Sequence, residues 1–267
     1  MATVTAKMVK ELRDKTGVGM MDCKKALVAA DGDMEAAVEN LRKAGIAKAA
    51  KRAGRAAKEG RVVVLIEGGV AAVAETLCET DFVAKNEQFR GFGDELVKRI
   101  VHEYTGDGDV SADAGEAEKG RLADLVAVIG ENLQVRRAVR WESDGLFASY
   151  LHMGGKIGVL VEAGGGDDEE LLHDVCMHIA AFRPRFISPD DVPEDVVAKE
   201  KEIAAAQVEG KPEHIIDKIV MGKLNKWYTE TCLTRQPWIR DDKSSLAKMA
   251  PKLEIRRFLR WEIGEEL

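Results

Sequence analysis

Apolar positions in the first 45 residues recur at helical spacing, in three short runs separated by turn residues. Met8, Val9 and Leu12 share one face behind Thr5, a residue type that caps helix starts. Cys23, Ala26 and Leu27 repeat the pattern in a second run, from about Met21 to Ala30. Ala37, Val38 and Leu41 repeat it again behind Asp33. The glycines of "TGVGMM" (16–21) and the turn "DGD" (31–33) separate the runs, and Gly45 is expected to end the third. Residues 1–45 therefore predict a small three-helix domain with a thin core.

From residue 46 the pattern changes. "IAKAAKRAGRAAKEGR" is alanine-rich and basic and reads as a solvated helical linker over 46–60. "RVVVLIEGGVAAVAETLCE" (61–79) is two strand-like runs around Gly68-Gly69, a strong hairpin signal. A helix is expected from about Phe82 to Tyr104, then a polar loop (105–117), a second helix over roughly 118–131, and a closing strand "NLQVRRAVRWE" (132–142).

That closing strand returns as "KLEIRRFLRWE" (252–262), with Leu, three arginines, Trp and Glu in register and Leu133 aligned on Leu253. Upstream of the second copy there is again a hairpin pattern, "LFASYLH", "MGG" and "KIGVLVEAG" (146–164), followed by a helix, "DDEELLHDVCMHIAAF" (167–182). The chain thus reads as an α+β protein with a duplicated hairpin–helix–strand core, the first subdomain over 61–142 and the second over 143–267. The second copy carries an insertion at about 190–226, opened by Pro189 and Pro193. Two amphipathic runs joined by "VEGKP" predict an antiparallel helical hairpin of coiled-coil type.

Composition narrows the function. With 45% hydrophobic and 33% charged residues, the chain is expected to be soluble and globular. A net charge of −7 argues against nucleic acid as the main partner, although the local basic stretch leaves a phosphate contact open. Cys23, Cys78, Cys176 and Cys232 have no paired spacing, which suggests free thiols in a reducing compartment. No apolar run approaches the ~20 residues of a membrane span. "MATVTAKMVK" reads directly into a helix, so a cytoplasmic location is expected.

Covalent chemistry finds little support. "HMGGKIGV" (152–159) lacks the Ser or Thr of a phosphate loop and leads into a strand. His173 and Cys176 share a helix face, but His178 points elsewhere, and no partner pair completes a metal site. The acids of "DDEE" (167–170) and "PDD" (189–191) stand at helix starts, where capping explains them. No metal, no cofactor and no catalytic residue is expected, and a binding protein is favoured over an enzyme. Two rivals remain. One is an RNA- or ribosome-binding protein using Lys48, Lys51, Arg52, Arg55, Lys58 and Arg61; the other is a small-molecule enzyme using His173, Cys176 or His178.

"LRDKTGVGMMDCKKAL" (12–27), "ETDFVAKN" (79–86), "HMGGKIGVLVE" (152–162) and "RRFLRWEIGE" (256–265) together resemble the bacterial elongation factor Ts family, over essentially the whole chain. The resemblance implies a ubiquitin-associated-like N-terminal domain, a duplicated α+β core and a protruding helical hairpin. It also implies guanine-nucleotide exchange, without covalent chemistry, on elongation factor Tu carrying GDP. In that family the aromatic of the Thr-Asp-Phe-Val segment intrudes beside the GTPase magnesium site, a role that falls here on Thr80, Asp81, Phe82 and Val83. Leu12, Met20, Met21, His152, Gly154 and Gly155 are further implied contacts, and some members form homodimers. Thr76 and Leu77 depart from the commonest family form at strand positions, where little effect is expected. Some members continue past the final strand into a C-terminal helical module; this sequence ends at Leu267. Phe82 is thereby read in two ways. Its seven-residue spacing to Phe89 and Leu96 places it on a core-facing stripe, whereas the resemblance turns it outward.

Overall fold

The computed structural model describes residues 4–164, 168–208 and 213–266. The chain forms two compact units. One is Met1–Glu142 with Met153–Lys156 and Trp261–Leu267; the other is Ser143–His152 with Ile157–Arg260.

The first unit begins with α1 (Ala6–Thr16), α2 (Met20–Ala29) and α3 (Met34–Arg52). Thr5 Oγ1 accepts from the Met8 N–H at 3.3 Å, and the Asp33 carboxylate accepts from the Ala36 N–H at 2.9 Å, so both expected caps form. Val9, Leu12, Cys23, Leu27, Ala37 and Leu41 make the core. Gly45 does not end the third helix. A Cβ there would lie 3.2 Å from Ala127 Cβ and 3.3 Å from the Ala123 carbonyl, so this glycine serves close helix packing. The helix runs on to Arg52 and takes up much of the stretch read as a linker.

β1 (Glu59–Glu67) and β2 (Val70–Cys78) form the expected hairpin, with Gly68 and Gly69 at φ 61° and 79°. Next come α4 (Asp81–Ala84), α5 (Glu87–Glu103), β3 (Gly108–Asp109), α6 (Ser111–Ile129) and β4 (Gln134–Glu142). The sheet order is β1-β2-β4-β3. The α6 helix starts inside the stretch expected as loop. The single helix expected from Phe82 is two helices, because the Asn86 side chain accepts from the Gln88 and Phe89 N–H groups at 2.9 and 3.3 Å and starts a fresh helix. Phe92, Leu96 and Ile100 of that helix pack on Val63, Ala72 and Ala74 of the hairpin.

In the second unit, β5 (Leu146–His152) and β6 (Ile157–Gly164) precede α7 (Glu169–Phe182) and a 3₁₀ turn at Pro189–Asp191. α8 (Glu194–Ala206), α9 (Glu213–Thr231), α10 (Leu246–Met249) and β7 (Glu254–Glu262) come after it. The sheet order is β5-β6-β7, so β7 closes its hairpin as β4 closes the first. Val175 and Ile179 of α7 meet Val159, Val161, Leu233 and Trp238 in the core. The insertion is an antiparallel helical pair: Gln207 accepts from Lys223 Nζ, while Glu200 and Ala204 share a groove with Leu224, Trp227 and Glu230. Most of the "VEGKP" joint, Gly165, Gly166 and the first acid of "DDEE" lie outside the described residues. Among the described residues no helix is long and apolar enough to cross a membrane.

Candidate partner-binding site

The "TDFV" segment begins two residues after β2, with Thr80 as the cap and Asp81–Val83 inside the four-residue α4. The ladder between β1 and β2 ends at the Glu59–Cys78 pair, so the next peptide groups need other partners. Glu131 supplies them. Its Oε2 accepts from the Glu79 and Thr80 N–H groups, each at 3.0 Å, and its Oε1 accepts from the Thr80 hydroxyl at 2.6 Å. Thr80 Oγ1 in turn accepts from the Val83 N–H at 3.4 Å and so caps α4. The Cys78 thiol donates to the Thr80 carbonyl at 3.2 Å. Burial, with the Glu131 carboxylate nearby, pushes that thiol up to about 12, so it stays protonated.

Val83 and Ala84 pack on Cys78, Phe89, Val126 and Leu133. Phe82 takes no part in that cluster and is 81% exposed, the most exposed large apolar side chain described. Asp81 pairs with Lys85 at 2.8 Å on the surface, and that hydrogen bond holds its carboxyl below the ordinary value. Glu131, which holds this junction, is not among the residues that the sequence singles out. It comes directly after the Gly130 stop of α6, and no local pattern links it to Thr80.

Met20 and Met21 open α2 and are 50% and 64% exposed, in a protein whose other bundle apolars are mostly inside. Leu12, implied as a contact, is fully buried between the helices of that bundle. Gly155 is buried as well. Its carbonyl accepts from the Val62 N–H at 2.7 Å, and a Cβ there would lie 2.7 Å from the Val62 carbonyl, so it is spent on a close approach to β1. Met153 and Gly154 remain the open residues of that turn. His152 is exposed, with its Nδ1 3.0 Å from the Tyr150 hydroxyl.

The "Elongation factor TS" family model matches residues 79–265. Full-length relatives agree. Elongation factor Ts of Vibrio campbellii is 48% identical over 99% of this chain and 93% of its own length. That of Idiomarina loihiensis is 46% identical over 98% and 91%, and that of Nautilia profundicola 45% identical over 100% and 95%. The chain belongs to the elongation factor Ts family. It is accordingly a protein of translation elongation.

The residues behind the rival readings are engaged within the fold. His173 packs edge-on to Tyr150, Cys176 is buried with its thiol pushed up to about 12, and His178 lies stacked within the core. No group of three or more metal-ligating side chains occurs among the described residues. In the basic stretch, Lys48 pairs with Asp22 at 2.6 Å, Arg55 with Glu79 at 3.4 Å and Arg61 with Asp94 at 3.7 Å. Arg52 donates to the Val126 carbonyl at 3.2 Å. Four of the six cations thus tie the first unit together, which leaves little free charge for a phosphate backbone.

Proposed function

We propose that this chain is a cytoplasmic guanine-nucleotide exchange factor for elongation factor Tu and performs no covalent chemistry. In such GTPases a magnesium ion bridges the nucleotide phosphates and contributes to their tight hold. Phe82, presented beside that ion's site by Thr80, Asp81 and Val83, disturbs the ligands of the metal. GDP and factor then weaken each other's binding reciprocally, as linkage requires, and GDP leaves faster from the ternary complex. Met20 and Met21 supply an adaptable apolar contact, and His152 with Gly154 a further one.

The observation that carries this reading is the exposure of Phe82 on a helix whose other apolar residues are anchored. Leaving a phenylalanine in water forgoes roughly 1.5–3 kcal/mol of burial, a cost that a binding role explains. Release of labelled GDP from elongation factor Tu, measured with and without this chain, tests the reading. Strong acceleration is expected; an unchanged release rate would remove it.

A further inference from the structure

We infer that Glu131 is a positioning residue for exchange, acting through Phe82; the inference rests on the function proposed above. A four-residue helix has no stability of its own, because one turn does not repay its nucleation. The direction of α4 must therefore come from its attachments. Val83 and Ala84 provide an apolar footing, but such contacts are not directional. Direction comes from the hydrogen bonds at Thr80. The Glu131 carboxylate takes two successive N–H groups on one oxygen and the Thr80 hydroxyl on the other, which fixes both the peptide plane and the hydroxyl rotor of the capping residue.

Glu131 is itself held. Gly130 ends α6 at φ 90° and turns the chain toward β4. The next residue, Asn132, is 3% exposed; its N–H donates to Glu79 Oε1 at 2.6 Å, and its side-chain amide donates to the Arg55 carbonyl at 2.7 Å. The Glu131 carboxylate thus accepts from the β2–α4 junction and the Glu79 carboxylate from Asn132 of the α6–β4 junction, and Asn132 fastens both to the segment after α3. A junction stitched across three connections supports a projecting aromatic more rigidly than the short helix could alone.

The test is a double-mutant cycle read by catalysed GDP release over a range of factor concentrations. Glu131→Ala should lower the maximal release rate about tenfold, because small misplacements of a positioned group cost that much or more. The half-maximal factor concentration should stay within about twofold, because the remaining contact surface is intact. Glu131→Gln keeps an oxygen for the two N–H groups but loses an acceptor for the hydroxyl, so a loss of about threefold is expected. Placed on Phe82→Ala, neither change should slow release further, because non-additivity marks residues acting as a unit. Additive losses would overturn the inference, and so would full rates in both Glu131 variants beside a slow Phe82→Ala. A Phe82→Ala protein that still accelerates GDP release at the full rate would remove Phe82 as the acting residue and overturn this inference, while a wild-type chain that leaves release unchanged would overturn the exchange reading itself.

Discussion

In the first copy of the core unit, Glu75 on β2 is fully buried and takes Arg136 at 3.2 Å and Arg137 at 2.5 Å from β4. In the second, Glu162 on β6 takes Arg256 at 3.4 Å and Arg257 at 2.5 Å from β7. The same two arginines of the repeated strand close on the same strand of each hairpin, and Trp141 and Trp261 hold equivalent places. The two copies diverge beyond the second strand of each hairpin. After β2 the chain makes the Glu79–Thr80 junction and raises Phe82 on α4. The second copy goes on to α7, which Asp168 caps, and carries its additions later, as α8 and α9. The paired framework thus tolerates a change of role at its connections. Backbone groups beyond the ladder are free to be bound by side chains from elsewhere, and that is where the exposed aromatic arises.

The sharpest way to break this division of labour is to truncate the two phenylalanines seven residues apart. Phe82→Ala should leave stability within about 1 kcal/mol, as surface changes usually do. It should nonetheless slow catalysed GDP release by about tenfold or more, the scale of a lost hot-spot contact. Phe89→Ala empties a fully buried site and should cost roughly 3–5 kcal/mol in urea unfolding, with near-normal exchange per folded molecule. If Phe82→Ala is the destabilised variant, the aromatic belongs to the framework after all.

The two clasps can be compared directly. The arginine side chains on Glu75 are 19% and 14% exposed, and Arg137 also lies under the Trp261 ring at 4.4 Å; those on Glu162 are 37% and 31% exposed. Removing a buried partner leaves its counter-charges under-compensated, here with Glu265 still bonding both arginines, so Glu75→Ala should cost about 3–5 kcal/mol. Glu162→Ala should cost less, about 1–3 kcal/mol, because water reaches its arginines. Equal losses in denaturant titrations would mean that the drier surroundings of the first clasp do not matter.

A smaller effect separates binding from folding in the N-terminal bundle. Met20→Ala with Met21→Ala should weaken association with elongation factor Tu by about 1–3 kcal/mol, measured calorimetrically, at nearly unchanged melting temperature. The helical pair should be still more dispensable to the fold. Among the described residues none of α8 or α9 belongs to the main apolar cluster of the second unit. A Gly/Ser loop in place of 195–226 should therefore preserve cooperative unfolding, and loss of the sharp transition would show the pair to be structural.

The repeat was legible because strand pairing ties side-chain identity to position: the Arg-Arg and Arg-Trp-Glu steps recur at the same positions along β4 and β7, and each Arg-Arg step meets an acid of the hairpin's second strand. Phe82 was not, from spacing alone. Periodicity carries Phe82, Phe89 and Leu96 along one helix, and only the Asn86 cap, a local hydrogen-bonding choice, takes Phe82 off that stripe. Gly45 misleads in the opposite sense, since a glycine that lets two helices touch and one that ends a helix look alike in a sequence. Glu131 is invisible to any local rule, because its partners at Glu79 and Thr80 are brought to it by the fold.

The smallest predicted effect concerns acid. In the first copy α5 buries apolar residues alone, whereas α7 buries His178. The imidazole lies nearly parallel to Phe182 and Trp238, with centroids at 4.6 and 5.1 Å. The Gln236 amide nitrogen donates to the Phe182 and Glu230 carbonyls at 3.2 and 2.9 Å, so its oxygen faces His178 Nε2 at 2.9 Å and must accept. That assigns the proton to Nε2 and leaves Nδ1 enclosed without a hydrogen-bond partner among the described residues. Burial pushes the His178 pKa below its ordinary value, against a smaller opposing pull from Gln236. The unfolded chain therefore takes up the proton first. The neutral imidazole costs nothing above about pH 6.5, and stability falls as the pH drops below that toward the folded-state pKa. Glu162 is held low in the opposite balance: burial raises its pKa, but bonds from Ser143 and Arg257 outweigh it, so its contribution is lost only at pH values below the ordinary glutamate range. Melting between about pH 7.5 and 5.5 lies above the range in which Glu162 loses its contribution, and a His178→Phe comparison separates His178 from the other four histidines. The wild-type chain should lose melting temperature across that window, and His178→Phe should flatten the profile. A His178→Phe protein with the same acid slope would assign the sensitivity to another group and remove this difference between the copies.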